Sequence, residues 1–198
     1  MVEFEADDAI ATACASFSKL DDVQRVVICS PDKDLCQCLV SDKVELWDRI
    51  RDRRFGAPGV LEKFGVLPAS IPDYLALVGD TADGFPGIPR WGAKSTAMIL
   101  ARYRHLEHIP RDPKQWAVTV RGAAALAKNL IERFDDALLF RRLATLRCDV
   151  PIAEDLPALQ PRGPDLALLE ELCRELDDAS FFERVGQDVA SSNGRSSV

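Results

Sequence analysis

The chain has 198 residues, 47% of them apolar, and a formal net charge of −7, which suffices for one domain with a real core, or one domain and a small helical appendage. No run approaches the ~18 consecutive apolar residues of a membrane span, and no basic segment followed by an apolar one opens the chain as a secretion signal would, so a cytoplasmic address without membrane partners is expected. The net charge hides a division: residues 87–147 hold twelve Lys or Arg against five Asp or Glu, a local +7 within a remainder of −14, and a local field matters more to a polyanionic partner than the total. Solvated Arg-rich helix faces, as at Arg141 and Arg142, are the plainer reading of part of it. Six cysteines lie without Cys-x-x-Cys spacing, which argues against a zinc ribbon. They read as reduced core residues, with soft-metal binding or oxidation of Cys36 and Cys38 as the alternative.

In chain order, Ile10, Ala13, Cys14 and Phe17 stand at helical spacing behind an acidic first turn, so a helix is expected from Ala6. Val26 to Cys29, a β-branched run ended by Ser30-Pro31, is expected to be a buried central strand of a parallel sheet, with Leu35 to Val40 starting the next element. Val44 to Trp47 suggests another strand. Asp48 to Gly59 is too charged and glycine-rich to assign, and Gly59 to Phe64 suggests a short helix. Pro68 to Val78 reads as a cap and a helix running into a turn at Gly79. Helices are further expected over Ser95–Tyr103, Ala123–Arg133, Asp136–Leu146 and Leu166–Leu176. The tail after Gln187, rich in Ser, Gly and Asn, is expected to be disordered.

The most informative stretch runs from Gly79 to Ala97. Asp80 and Asp83 are joined directly to a glycine-rich hairpin that opens a helix near Ala93. Gly87 and Gly92 are expected to supply positive φ angles and close backbone approach; the helix start offers unpaired N–H groups and a positive dipole to an anion, and Lys94 adds a cation. An ordinary surface turn is the competing reading. Upstream lie two more acidic clusters: Glu5, Asp7 and Asp8 at a helix start, where dipole compensation is the alternative, and Asp32 with Asp34 past the end of a strand, where open α/β sheets place ligands and where helix capping is the alternative. Seven carboxylates in one cleft would repel one another unless divalent cations compensated them, and hard ions with oxygen ligands answer that need. Two such ions about 4 Å apart could activate water and stabilise a leaving oxygen in phosphodiester hydrolysis. His105 and His108 read as solvent-facing residues.

Together, Glu5-Ala6-Asp7-Asp8, Asp32-Lys33-Asp34, Gly79 to Ala97, Arg121-Gly122-Ala123 and Leu143-Ala144-Thr145 resemble the bacterial 5′-3′ exonuclease and flap endonuclease family, over about residues 3 to 152. The resemblance implies an α/β fold, a partial parallel sheet with flanking helices as a PIN-like 5′ nuclease core over residues 1–80, then a helical helix-hairpin-helix (H3TH) subdomain over 81–152, with a helical extension over 153–186 and a tail over 187–198. It implies that Glu5, Asp7, Asp8, Asp32, Asp34, Asp80 and Asp83 line a metal cleft holding two Mg2+ (or Mn2+) ions, with Asp7, Asp8, Asp32 and Asp34 as the catalytic core. It also implies that Gly87, Ile88, Arg90, Gly92, Ala93, Lys94, Ser95 and Thr96 grip a DNA backbone, with a K+ ion at the hairpin. Arg90 stands where the family has glycine. The family's first strand and basic arch would precede Glu5, so a core lacking the family's N-terminal segment is expected.

Three functions follow. The first is a metal-dependent 5′ nuclease acting on DNA 5′ ends, flaps or nicks in repair or replication. The second is a non-catalytic DNA-binding remnant that keeps the hairpin. The third, a small-molecule phosphatase using Asp32 or Asp34 as nucleophile, leaves the hairpin unexplained.

Overall fold

The computed structural model describes residues 3–160 and 163–185, so the tail expected after Gln187 lies outside the described residues. The chain divides into two compact units, residues 1–152 and 153–198. The first opens with α1 (Ala6–Phe17), β1 (Val26–Ile28), a 3-10 helix (Asp34–Cys38), β2 (Val44–Asp48), β3 (Arg53–Phe55) and α2 (Ala57–Phe64). There follow a 3-10 turn (Pro68–Ser70), α3 (Ile71–Val78), α4 (Ala93–Tyr103), two more 3-10 turns (Leu106–His108 and Pro113–Gln115), α5 (Ala123–Glu132) and α6 (Phe134–Ala144). In the second unit α7 (Leu166–Glu175) starts where the Asp165 carboxylate accepts the Ala167 and Leu168 N–H groups, each at 3.1 Å, the expected role of an N-cap aspartate.

The sheet is small and mixed. β1 pairs parallel to β2 with Val26 opposite Val44 and Ile28 opposite Leu46, while β2 pairs antiparallel to β3 with Leu46 opposite Phe55. This corrects two sequence expectations. β1 is an edge of the order β1-β2-β3, not a central strand, and of its three residues only Ile28 is buried, Val27 being 36% exposed. The segment left unassigned holds β3, because Asp48 closes a tight hairpin: its carboxylate accepts the Ile50 and Arg51 N–H groups at 3.1 Å and the Arg51 guanidinium at 2.8 Å. Such aspartate-backbone bonds are turn chemistry. β2 alternates buried and half-buried positions, Val44, Leu46 and Asp48 facing inward.

α3 is the axis of this unit. Every residue from Ile71 to Leu77 is buried, and the helix packs against both α4 and α6, so a helix preceding residue 80 sits at the centre of the helical layer that follows it. Its inward acid, Asp73, is neutralised locally. One carboxylate oxygen accepts the Leu106 N–H and the Arg141 guanidinium, both at 3.1 Å, and the other meets His105 Nδ1 at 2.9 Å. Arg141 also holds Glu107, at 2.7 and 2.5 Å. His105 and Arg141, read from the sequence as solvent-facing, therefore serve a buried charge, which is stable only when paired.

After α6 the chain returns to the acidic end. Gln37 Nε2 donates to the Ala144 carbonyl at 3.0 Å, and Gln37 Oε1 accepts the Leu146 N–H at 3.1 Å. Thr12 Oγ1 accepts the Val150 N–H at 3.2 Å. These bonds end α6 at Ala144, two residues before the expected Leu146, because Leu146 is drawn into pairing with Gln37.

Candidate metal centre and nucleic-acid interface

Three aspartates from two distant segments converge. Each of Asp34, Asp80 and Asp83 offers a carboxylate oxygen, and the three oxygens lie within 4.8 Å of one another. Asp34 is placed by a chain of local bonds: Ser30 Oγ accepts the Asp32 N–H at 3.1 Å, and Asp32 Oδ1 accepts the Asp34 N–H at 3.0 Å. Asp80 and Asp83 are placed by a closed turn in which Asp80 and Phe85 exchange both backbone hydrogen bonds at 2.9 Å. Asp34 and Asp80 are buried and Asp83 is exposed, so the cluster has a closed floor and an open mouth.

The electrostatics show how poorly these charges tolerate one another. Burial first, then Asp32, Asp83 and Asp80, push the Asp34 carboxyl up to about 7, with Lys33 opposing. Asp7 is raised too, by burial and then by Asp32, Glu5, Asp8 and Asp83, which places it within the same field. Lys33 is ion-paired to Asp80 Oδ2, and although burial alone would lower its pKa, Asp80, Asp34 and Asp32 raise it. Asp34 Oδ1 remains buried without a hydrogen-bond donor, a costly state for a carboxylate. An all-oxygen donor set with one such orphaned oxygen fits a hard divalent cation.

The remaining acids differ. Both oxygens of Asp8 are engaged, Oδ2 by the Glu5 N–H at 3.0 Å and Oδ1 by the Arg147 N–H at 2.8 Å, so Asp8 joins the start of α1 to the returning chain. Glu5 is exposed at the helix N-cap. Asp32 borders an open depression that Lys33 and Lys63 also line. Lys33 was not singled out by the sequence reading; its position between two acids of Asp32-Lys33-Asp34 was the available signal.

The hairpin follows directly. Gly79 and Gly87 have φ of +91° and +71°, and a Cβ on Gly87 would stand 2.4 Å from the Gly79 nitrogen and 2.7 Å from the Leu77 carbonyl oxygen. Here the chain crosses itself backbone to backbone, and the Ile88 N–H donates to the Leu77 carbonyl at 2.9 Å. Gly92 was expected to share this role and does not: its φ is −100° and a Cβ there would meet nothing within 4 Å. Arg90 instead takes the left-handed conformation, at φ +73°. The loop is pinned from below, Trp91 Nε1 donating to the Leu126 carbonyl at 3.1 Å and Asn129 Nδ2 to the Pro89 carbonyl at 2.7 Å. Ser95 Oγ donates to the Gly92 carbonyl at 2.9 Å and closes the start of α4.

Of the hairpin residues named from sequence, Arg90, Gly92, Ala93 and Lys94 are exposed and Ser95 is half-buried. Gly87, Ile88 and Thr96 are buried, so they build the loop and do not face solvent. Among the described residues Arg90 and Lys94 form no ion pair, whereas Arg141 and Arg147 are committed to internal acids. The first N–H groups of α4 lack acceptors within the helix, and Arg90 and Lys94 flank them as exposed cations.

The chain that carries this acid cluster and helix start matches a nuclease family. The 5′-3′ exonuclease N-terminal resolvase-like domain matches residues 1–65, and the 5′-3′ exonuclease C-terminal SAM fold matches residues 66–167. The chain belongs to the 5′-3′ exonuclease family. It is 37% identical to a 5′-3′ exonuclease of Aquifex aeolicus over 98% of this chain and 63% of that protein, and 34% identical to DNA polymerase I of Pseudomonas aeruginosa over 96% of this chain and 21% of that one. A flap endonuclease Xni of Yersinia enterocolitica is 31% identical over 79% of this chain and 59% of its own length. The chain thus spans less than two thirds of each of these relatives. The fold is shared with bacteriophage T5 D15 flap endonuclease, solved as a pseudo-enzyme-product complex with DNA and metal ions, at a TM-score of 0.60 and 22% identity, covering 72% of this chain and 50% of that one. T5 5′-exonuclease has also been solved with zinc bound, at a TM-score of 0.59 and 21% identity, over 71% of this chain and 49% of that one. No helix among the described residues is long and apolar enough to cross a membrane.

Proposed function

We propose that this chain is a metal-dependent 5′ nuclease acting on DNA with free 5′ ends, flaps or nicks. The observation that carries the reading is the convergence of Asp34, Asp80 and Asp83 within 4.8 Å, with the buried Asp34 Oδ1 left without a donor, a few residues from an anion-binding hairpin. The names of the relatives support it. Asp34, Asp80 and Asp83 would hold a divalent cation, magnesium or manganese, with Asp7 and Asp32 adding negative charge around it; a second ion, and potassium at the hairpin, belong to the same reading. Such cations activate water and neutralise charge on a phosphodiester. Arg90, Lys94 and the N–H groups opening α4 bind backbone phosphate, contacts that position a duplex without reading its sequence. Substrate choice therefore rests on DNA structure, in keeping with a role in repair or replication.

The test is magnesium-dependent digestion of 5′-labelled flap DNA. Asp34→Asn should abolish cleavage and leave DNA affinity unchanged; undiminished turnover at saturating magnesium would reject the assignment. The commitment of both Asp8 oxygens to backbone N–H groups favours a second reading, a DNA-binding module without catalysis. It predicts tight flap binding by the wild-type chain with no product at any magnesium or manganese concentration.

A further inference from the structure

Behind the acidic face lies a cavity of about 140 Å³ whose lining includes Cys14, Cys38 and Cys148. Cys14 comes from α1 and is buried, Cys38 ends the 3-10 helix and is half-buried, and Cys148 on the returning chain is exposed. The sequence reading put all six cysteines in the core. The structure separates them, leaving Cys29 and Cys148 exposed, and brings together three that are far apart in the chain. The Cys14 thiol points to the Cys38 carbonyl oxygen at 4.0 Å, and both side chains line the cavity. α1 and the 3-10 helix pack directly.

We propose that this cavity is a thiol oxidation site, in which a hydroperoxide converts Cys14 and Cys38 to an intramolecular disulfide. The neighbouring Cys38 lowers the Cys14 pKa against the opposing effect of burial, while the pKa of the Cys38 thiol is itself raised, so of the two Cys14 ionises more readily and is the attacking sulfur. The cavity admits a molecule the size of hydrogen peroxide. Cys14 sulfur attacks one peroxide oxygen, the O–O bond breaks, and the other oxygen leaves as water or alcohol after taking a proton. Cys14 is then a sulfenic acid. Cys38 sulfur attacks Cys14 sulfur, the S–O bond breaks, and hydroxide departs as water with the Cys38 proton. The two thiols lose two electrons and the hydroperoxide gains them. The bond would tie α1, which carries Asp7, to the 3-10 helix that carries Asp34, and an external thiol would reverse it by exchange.

The site is independent of the nuclease reading, because its readout is covalent. The full 198-residue chain is treated with near-stoichiometric hydrogen peroxide without denaturant, alkylated, and analysed by intact mass and peptide mapping. The expected product is lighter by about 2 Da before alkylation, has four alkylatable thiols in place of six, links the Cys14 and Cys38 peptides, and reverts with dithiothreitol. Cys38→Ser should stop at a trappable sulfenic acid on Cys14, Cys14→Ser should abolish the link, and Cys29→Ser or Cys148→Ser should leave it intact. The wild-type map decides even where a cavity variant folds poorly. A link through Cys148, a link between separate chains, or accumulation of sulfinic acid without a disulfide would overturn the proposal.

Discussion

Gly87 shows how one missing Cβ can organise a site. Any L side chain there meets the Gly79 nitrogen and Leu77 carbonyl at distances that real Cβ atoms do not adopt, and at a φ of +71° as well. Gly87→Ala should therefore cost about 3 kcal/mol, lowering the melting temperature by roughly 6–12 °C, and should pull the acidic turn away from α4. A thermal melt within about 1 °C of wild type would show that the crossing is not tight. Asp34 sets a second expectation. Its folded carboxyl, raised to about 7 from an ordinary value near 4, binds its proton more tightly folded than unfolded. Stability from this group is present at low pH and lost as pH rises from about 4 to 7. Chelated protein should melt lower at pH 7 than at pH 5 in this respect, and magnesium should restore the loss at pH 7, because cation binding replaces the proton as the neutralising charge. A melting temperature at pH 7 insensitive to magnesium would contradict the metal assignment.

At the scale of elements, the helical layer is held by one charge network as much as by apolar contact. Asp73 on α3 bonds the 3-10 turn after α4 and Arg141 on α6, so a single buried carboxylate joins three segments. Arg141→Ala leaves Asp73 with His105 and one N–H and leaves the exposed Glu107 without its partner; the expected loss is about 2–3 kcal/mol in urea unfolding, because an uncompensated buried charge costs more than the pair contributes. Removal of Arg142, which is exposed and forms no ion pair among the described residues, should change stability by less than about 0.5 kcal/mol. The two arginines are neighbours and both look like a solvated face in sequence. Only the long-range partner separates them, and nothing local to residue 141 announces an aspartate at residue 73. The same limit explains Lys33 and Asp80. By contrast α1, α3, α4, α5 and α7 were legible, because apolar spacing, prolines at helix starts and capping residues act within a turn or two. β3 was not, since three charged or half-buried residues form a strand only when β2 is present to pair with them. In the site, the acidic clusters were legible by their spacing, whereas the division between the converging Asp34, Asp80 and Asp83 and the backbone-bonded Asp8 needed the fold.

For the whole molecule, the question is how a chain of net charge −7 can hold a polyanion. The structure narrows the basic segment to fewer effective charges than its count suggests. Arg141 and Arg147 neutralise Asp73, Glu107, Glu3 and Asp149, Lys128 and Arg133 pair along their own helices, and Arg90 and Lys94 stay exposed and unpaired at the hairpin among the described residues. Free cations thus remain at the hairpin, which lets a local positive field persist there on an acidic protein. If Lys94 neutralises one backbone phosphate, releasing its counterion contributes about 0.9 to the slope of log affinity against log salt. Lys94→Ala should then weaken binding to flap DNA by a similar factor on unrelated sequences and flatten that slope by about 1, whereas Lys128→Ala should leave it unchanged. Fluorescence anisotropy between about 50 and 200 mM potassium chloride measures both quantities. A Lys94 variant with wild-type slope and affinity would move the DNA contact away from the start of α4, and an effect confined to one sequence would replace backbone gripping with base readout.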